Sequence, residues 1–311
     1  MKNRARKVLI GFGLGMAIAS LGAFLYGMTE SKQVEALEPS QTPQTAIAPK
    51  LITDPQEITT NRDGFIPKRL RQSENPNPVR GIIGEDNRQP MTSRDYPWST
   101  VGRIDNKYGH ACTGTLIYES LVLTNSHCVY KDGKLVENIY FYPNLINGRL
   151  RDKADKATVT GVYPGTNDSK AHEQDDWAIL LLDKPLGKKY GFLSWKSIPL
   201  EVLKKKVKQI SLVGYSGDFP DPKRHPDLNA GKGETAGVHS DCSILGESDG
   251  MLVHDCDTTG GASGSALITE IDDKYYIVGL HAAGLYKQDG TGRENYAVEI
   301  ERINAGLATL K

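Results

Sequence analysis

From Ile82 onward the chain is cut into short runs of β-branched and apolar residues by Gly, Asn, Asp and Pro, and this punctuation constrains the fold more than any other feature. The runs include "STVGRI", "CTGTLIY", "LVLTNS", "NIYFYP", "TVTGVYP", "WAILLL", "QISLVGYS", "MLVHDC", "GSALITEI" and "YYIVGLHAAG". Strand-like runs separated by turn residues at this spacing predict an all-β sandwich or barrel. The closing "ENYAVEIERINAGLATL" places Ile300, Ile303, Leu307 and Leu310 near helical spacing, which predicts a C-terminal helix.

Upstream of Ile82 the pattern changes twice. "MKNRARK" is basic, and Val8 to Met28 is apolar apart from one Ser and one Tyr, the order of an export signal. The apolar run is also about as long as a bilayer-spanning helix requires, so residues 1–29 read as an export signal or a signal anchor. Small-residue cleavage sites end at Ala19 and Ala36. Residues 30–81 are polar and proline-bearing, with little hydrophobic period from which to build a core, and read as a linker or propeptide. Residues 82–311 form the folded unit.

The 311 residues carry 38 basic and 38 acidic side chains, a balance that argues against nucleic acid as the main partner. The densest interior basic cluster, "LKKKVK" from Leu203 to Lys208, reads as a solvated turn. Cys112, Cys128, Cys242 and Cys256 are even in number and lack the close Cys-x-x-Cys spacing of zinc or thioredoxin-like sites. Of three possible connectivities, spacing favours Cys112 with Cys128 and Cys242 with Cys256. Each bridge would close a loop of about 15 residues, worth about 3 kcal/mol from chain entropy. Disulfides agree with export.

One short stretch suggests chemistry. "DTTGGASGSALI" sets Ser263 in a glycine-rich run ahead of a strand. A serine hydroxyl is a weak nucleophile unless a base removes its proton, an acid orients that base, and N–H donors await the oxyanion. "LVLTNSHCVY" supplies His127 at a strand end, and "DDWAILLLD" supplies Asp176 immediately before a strand, with Asp175 as its competitor.

These strings resemble the site motifs of the chymotrypsin-fold serine proteases. "LTNSHCV" resembles the family's "LTAAHC", "DWAILL" its acid motif, and "GGASGSAL" its nucleophile loop "G-x-S-G-[GS]". The resemblance spans nearly all of Ile82 to the C-terminus. It implies two six-stranded antiparallel β-barrels with a C-terminal helix. It also implies His127 as base, Asp176 as orienting acid, Ser263 as nucleophile, and the N–H groups of Gly261 and Ser263 as the oxyanion hole. Glycine at Gly261 suits an amide that must turn toward substrate.

The resemblance is closer to the glutamyl-endopeptidase branch than to digestive trypsins. "IIGEDNRQPMTSRDYPWSTVGRI" looks like that branch's amino-terminal segment, and "TTGGASGSA" its nucleophile loop with Ala266 in place of proline. In trypsin-like enzymes an acid before the nucleophile pairs with a newly freed amine; Ala262 cannot, and the glutamyl-endopeptidase branch also lacks that acid. Arg80, ahead of Gly81 and Ile82, marks a place where a propeptide could be cut. His281 falls where the branch contacts an acidic substrate side chain, by a hydrogen bond and, if protonated, by charge. Thr258 matches another pocket position. Asp257 pulls toward Lys or Arg, because it falls where trypsin carries its selective acid.

The expectation is an exported serine endopeptidase acting on proteins or peptides through an acyl-enzyme. It is secreted or periplasmic, or else membrane-anchored through residues 8–28 with its protease domain outside. Cleavage after Glu or Asp is the leading reading; cleavage after Lys or Arg and a non-catalytic binding protein are the alternatives. The chemistry requires no metal or organic cofactor, and no "D-x-[DN]-x-[DN]-G" calcium string is present.

Overall fold

In the computed structural model, residues 46–53, 58, 63–67, 86–109, 111–286 and 292–308 are described. The apolar stretch Val8 to Met28, the sites at Ala19 and Ala36, and the Arg80–Ile82 junction lie outside them. Among the described residues no helix is long and apolar enough to cross a membrane.

Among the described residues the expected all-β architecture is present as two large sheets, a small ribbon pairing Tyr130–Lys131 with Lys134–Leu135, two one-turn helices and a final helix. The first sheet runs Lys50–Leu51, Ala157–Pro164, Ala178–Leu182, Leu121–Thr124, Ala111–Leu116, Val101–Asp105, Tyr140–Pro143. Tyr140–Pro143 pairs back onto Ala157–Pro164, closing six antiparallel strands into a barrel. The second sheet has nine strands, ordered Ile244–Ser248, Met251–His254, Gly292–Glu299, Lys274–Tyr286, Ala266–Ile271, Ile210–Gly214, Gly237–Cys242 and Gln89–Pro90, with Ser194–Trp195 parallel to Lys274–Tyr286.

Strand alternation explains why "LVLT" and "AILLL" are apolar on both faces. Val122, Ala178 and Leu180 point into the first barrel with Ile104, Phe141 and Val159. Their neighbours Leu121, Leu123 and Ile179 point outward, into a second apolar layer shared with Ile268, Leu280 and Val298 of the other sheet. The helix Ile300–Ala308 caps that layer with Ile300 and Ile303 buried and Leu307 packed against it.

The segment read as a linker is partly built into this fold. Lys50–Leu51 pairs parallel with Gly161 and Val162 of the strand Ala157–Pro164. On that edge Tyr140–Pro143 reaches only Ala157 and Thr158, so the barrel leaves an open edge that the segment fills. Ile52 and Ile58 are buried in the shared layer, and Phe65 bridges to and stacks on Phe192. The apolar residues that dock are isolated in the sequence, which is why they carry no period.

Candidate active site

The strand Leu121–Thr124 leaves the first barrel through Asn125 into the 3₁₀ turn Ser126–Cys128. A disulfide from Cys128 to Cys112 ties that turn to the neighbouring strand. Asn125 Nδ2 donates to the Asp176 carbonyl and Ser126 Oγ to the Trp177 carbonyl, each at 2.6 Å and buried. Two residues preceding His127 therefore grip the segment that carries the acid. The Asp176 carboxylate accepts twice from His127, from its backbone N–H at 3.0 Å and from Nδ1 at 2.6 Å. A carboxylate on Nδ1 keeps the proton there and leaves the Nε2 lone pair available. Asp175 turns away to Arg302, with Nη2 to Oδ1 at 3.0 Å.

Ser263 arrives from the second sheet, in the loop before Ala266–Ile271. Its carbonyl accepts from the Thr113 N–H at 2.8 Å, and Gly264 N–H donates to the His281 carbonyl at 2.9 Å. Thr113 Oγ1 donates to the Gly261 carbonyl at 3.0 Å. Glycine is required twice. At Gly264, φ is +84° and a Cβ would lie 2.1 Å from the Thr113 carbonyl oxygen; at Gly261, φ is +102° and a Cβ would lie 2.4 Å from the Tyr215 carbonyl oxygen. The N–H groups of Gly261 and Ser263 donate to no protein acceptor among the described residues. Ala262 is fully buried, and a Cβ on Gly214 would stand 3.1 Å from its own Cβ, so an unpaired acid has no place there.

His127, Ser263 and Gly261 line one cleft of about 320 Å³, with the Cys112–Cys128 bridge and Tyr130 on its wall. Among the described residues Ser263 Oγ makes no hydrogen bond to the imidazole; such bonds often tighten only when substrate is bound. An oriented base, a serine and two free N–H groups in one cleft can carry out acyl transfer.

Thr258, Asp257 and His281 do not line that cleft. Thr258 Oγ1 donates to Asn295 Oδ1 at 3.1 Å, and Asn295 Nδ2 to the Cys256 carbonyl at 2.7 Å. The Asp257 carboxylate accepts from the Asn87 N–H at 3.1 Å, and its backbone N–H donates to His239 Nδ1 at 2.7 Å. His281 is buried, with Nδ1 3.1 Å from His254 Nε2. Because the Cys256 N–H donates to His254 Nδ1 at 3.2 Å, His254 carries its proton on Nε2 and gives it to His281, whose own proton then sits on its Nε2. Burial, followed by the charge of His127, pulls His281 down to about 3, with the Tyr296 backbone opposing. Burial, then His281 and His239, holds His254 well below the ordinary histidine value. Burial thus favours the neutral form of His281. The second disulfide, Cys242–Cys256, anchors the strand Gly237–Cys242 to the segment before Asp257.

Sequence reasoning missed Asn125, Ser126, Thr113 and His254. The first two were visible as polar residues inside an apolar strand end, "LTNSHC", where a buried side chain must find a partner.

A closed β-barrel, a second sheet, and a glycine-rich Ser263 loop sharing a cleft with the His127–Asp176 pair match a chymotrypsin-type serine protease fold. The chain belongs to the trypsin family, whose profile matches residues 82–305. Serine protease 23 of Bos taurus is 26% identical over 213 residues, covering 60% of this chain and 51% of that protein. The chain thus spans about half the length of the curated relatives it matches. A solved Glu endopeptidase in complex with MPD is 26% identical, with TM-score 0.57, covering 73% of this chain and all of that one. The protease Anisep from Arthrobacter nicotinovorans, 18% identical with TM-score 0.52 over 69% of this chain and 98% of its own, shares the fold.

Proposed function

We propose that the protein is an exported serine endopeptidase that cleaves after Glu, and less readily after Asp, through an acyl-enzyme. The carrying observation is the double acceptance by Asp176 from His127, which leaves Nε2 unprotonated in the cleft that holds Ser263. His127 Nε2 takes the Ser263 hydroxyl proton as Oγ attacks the scissile carbonyl carbon. The oxyanion is received by the N–H groups of Gly261 and Ser263. His127 then returns the proton to the leaving amine, and the same base activates the water that releases the acyl group. Asp176 stabilises the imidazolium that exists between these transfers.

Preference for Glu is supported by three observations. The Asp257 carboxylate is already an acceptor for Asn87. His281, at the position the resemblance assigns to substrate contact, holds a neutral imidazole hydrogen-bonded to His254. The similar solved structure of 26% identity is a Glu endopeptidase. Export is supported by the two disulfides and the basic-then-apolar N-terminus. In this reading residues 1–29 are an export signal or signal anchor, 30–81 a linker or propeptide, and 82–311 the protease domain.

A fluorophosphonate probe should label the processed protein, and Ser263→Ala should abolish labelling. A peptide-library digest read by mass spectrometry should show cuts predominantly after Glu. Cuts after Lys or Arg would transfer specificity to Asp257, and a folded protein that never labels would be a binding protein.

A further inference from the structure

Arg88 is buried beneath the nucleophile loop. Its guanidinium is gripped on two sides: Nε and Nη2 donate to the two oxygens of Asp86, and Nη1 and Nη2 to the two oxygens of Asp218, all at 2.9 Å. The group also lies over the Phe219 ring, 5.0 Å from its centroid. Burial works to raise both carboxyls, yet bonding to Arg88 holds Asp86 and Asp218 below the ordinary carboxylate range.

Asp218 has a second task. Its Oδ1 accepts a short hydrogen bond from Thr259 Oγ1, at the start of the loop that carries Ser263. Its neighbour Gly217 donates through N–H to the Gly260 carbonyl at 2.7 Å. That carbonyl and the Gly261 N–H belong to one planar trans peptide unit, in which C=O and N–H point in opposite directions. Drawing Gly260 O toward Gly217 therefore turns Gly261 N–H the other way, the direction in which it meets no protein acceptor.

We propose that Arg88 is a positioning residue for the oxyanion hole: it fixes Asp218, and through Gly217 and Thr259 it sets the orientation of the Gly260–Gly261 peptide. This rests on the reading of Ser263 as nucleophile. The arrangement supplies, from the segment following the Arg80–Ile82 junction, the restraint that Ala262 cannot supply through an ion pair of its own. A guanidinium is needed because only a planar fork reaches two carboxylates at once.

The test uses the processed full chain carrying Arg88→Ala, Arg88→Lys, Asp218→Asn or Thr259→Val, with rates expressed per fluorophosphonate-titrated site. Arg88→Ala should lower kcat roughly 10- to 100-fold, the cost of small misplacement at a reacting centre, while KM stays within about threefold. The affinity for a peptide aldehyde, whose adduct places an oxyanion in the hole, should fall by the same factor as kcat/KM. Arg88→Lys should recover only part of the loss, and Arg88→Ala with Asp218→Asn should be no worse than the stronger single change. Thr259→Val, which removes one hydroxyl bridge, should show a smaller loss of the same kind and serves if Arg88→Ala does not fold. Wild-type kcat per titrated site and unchanged aldehyde affinity in Arg88→Ala or, failing that variant, in Thr259→Val would overturn the proposal, even with a lowered Tm. Wild-type protein that does not label removes the nucleophile reading, and this proposal with it.

Discussion

The docking of the N-terminal segment can be measured at one contact, Ile52 over Gly161. Ile52 is 2% exposed, and its N–H donates to the Val162 carbonyl at 2.8 Å. A Cβ placed on Gly161 would stand 2.8 Å from Ile52 Cδ1, 2.9 Å from Cγ1 and 3.3 Å from Leu181 Cβ. Ile52→Ala removes a buried side chain at a position that can partly collapse, so a loss of about 2 kcal/mol is expected, the lower end for such truncations. Gly161→Ala alone overpacks the contact and should cost about 1–3 kcal/mol. In the double variant both sub-3 Å clashes vanish, and alanine in a strand interior is favoured over glycine by about 0.5–1 kcal/mol. The double variant should therefore be more stable than the sum of single effects predicts, by about 1–2 kcal/mol. Urea unfolding of the full chain, in a Ser263→Ala background to prevent self-digestion, measures all four corners of the cycle. Additivity within about 0.5 kcal/mol, or an unchanged midpoint for Ile52→Ala, would refute the docking.

Three further outcomes are expected. Asp176→Asn should lower kcat on the order of 10⁴-fold with little change in Tm, because the amide no longer enforces the His127 tautomer. Gly264→Ala, at φ +84° with its Cβ 2.1 Å from the Thr113 carbonyl oxygen, should destabilise by more than about 2 kcal/mol in urea unfolding and lose fluorophosphonate labelling. His281 is held neutral by burial, with its value lowered from 6.5 to about 3, so across that window the unfolded chain binds a proton the folded chain refuses. Its contribution is thus complete above pH 6.5 and lost as pH falls toward 3, about 1.4 kcal/mol per pH unit. His281→Gln should flatten the acid side of the unfolding curve.

What could be read from the sequence was local. Asp176 rather than Asp175 follows from the register of Trp177-Ala178-Ile179, and the structure sends Asp175 to Arg302 instead. Gly261 reads as needing backbone freedom, and its φ is positive; Gly264, with the same requirement, does not stand out in the sequence. The strand runs were legible because alternation in "LVLT" and "AILLL" serves two apolar layers at once. Ile52 and Ile58 were not legible, since each docks alone into a layer built by residues far along the chain. Arg88 stood in a quoted string, but nothing in that string revealed that Asp218, 130 residues later, would meet it.

Asp257 shows why position along a chain does not settle chemistry. Counted back from Ser263 it falls on a specificity acid, yet its carboxylate accepts a hydrogen bond from Asn87, 170 residues earlier. A lysine or arginine entering from substrate would have to be desolvated to reach it. His281 differs in kind, because its Nδ1 accepts from His254 and its ring is also hydrogen-bonded to the Tyr296 backbone. A substrate carboxylate needs a donor, and a substrate ammonium needs a free acceptor. Partners decide which of these a residue can still offer: here Asp257 is engaged by Asn87 and lies 3.3 Å from His239 Nδ1, and His281 is engaged by His254 and the Tyr296 backbone.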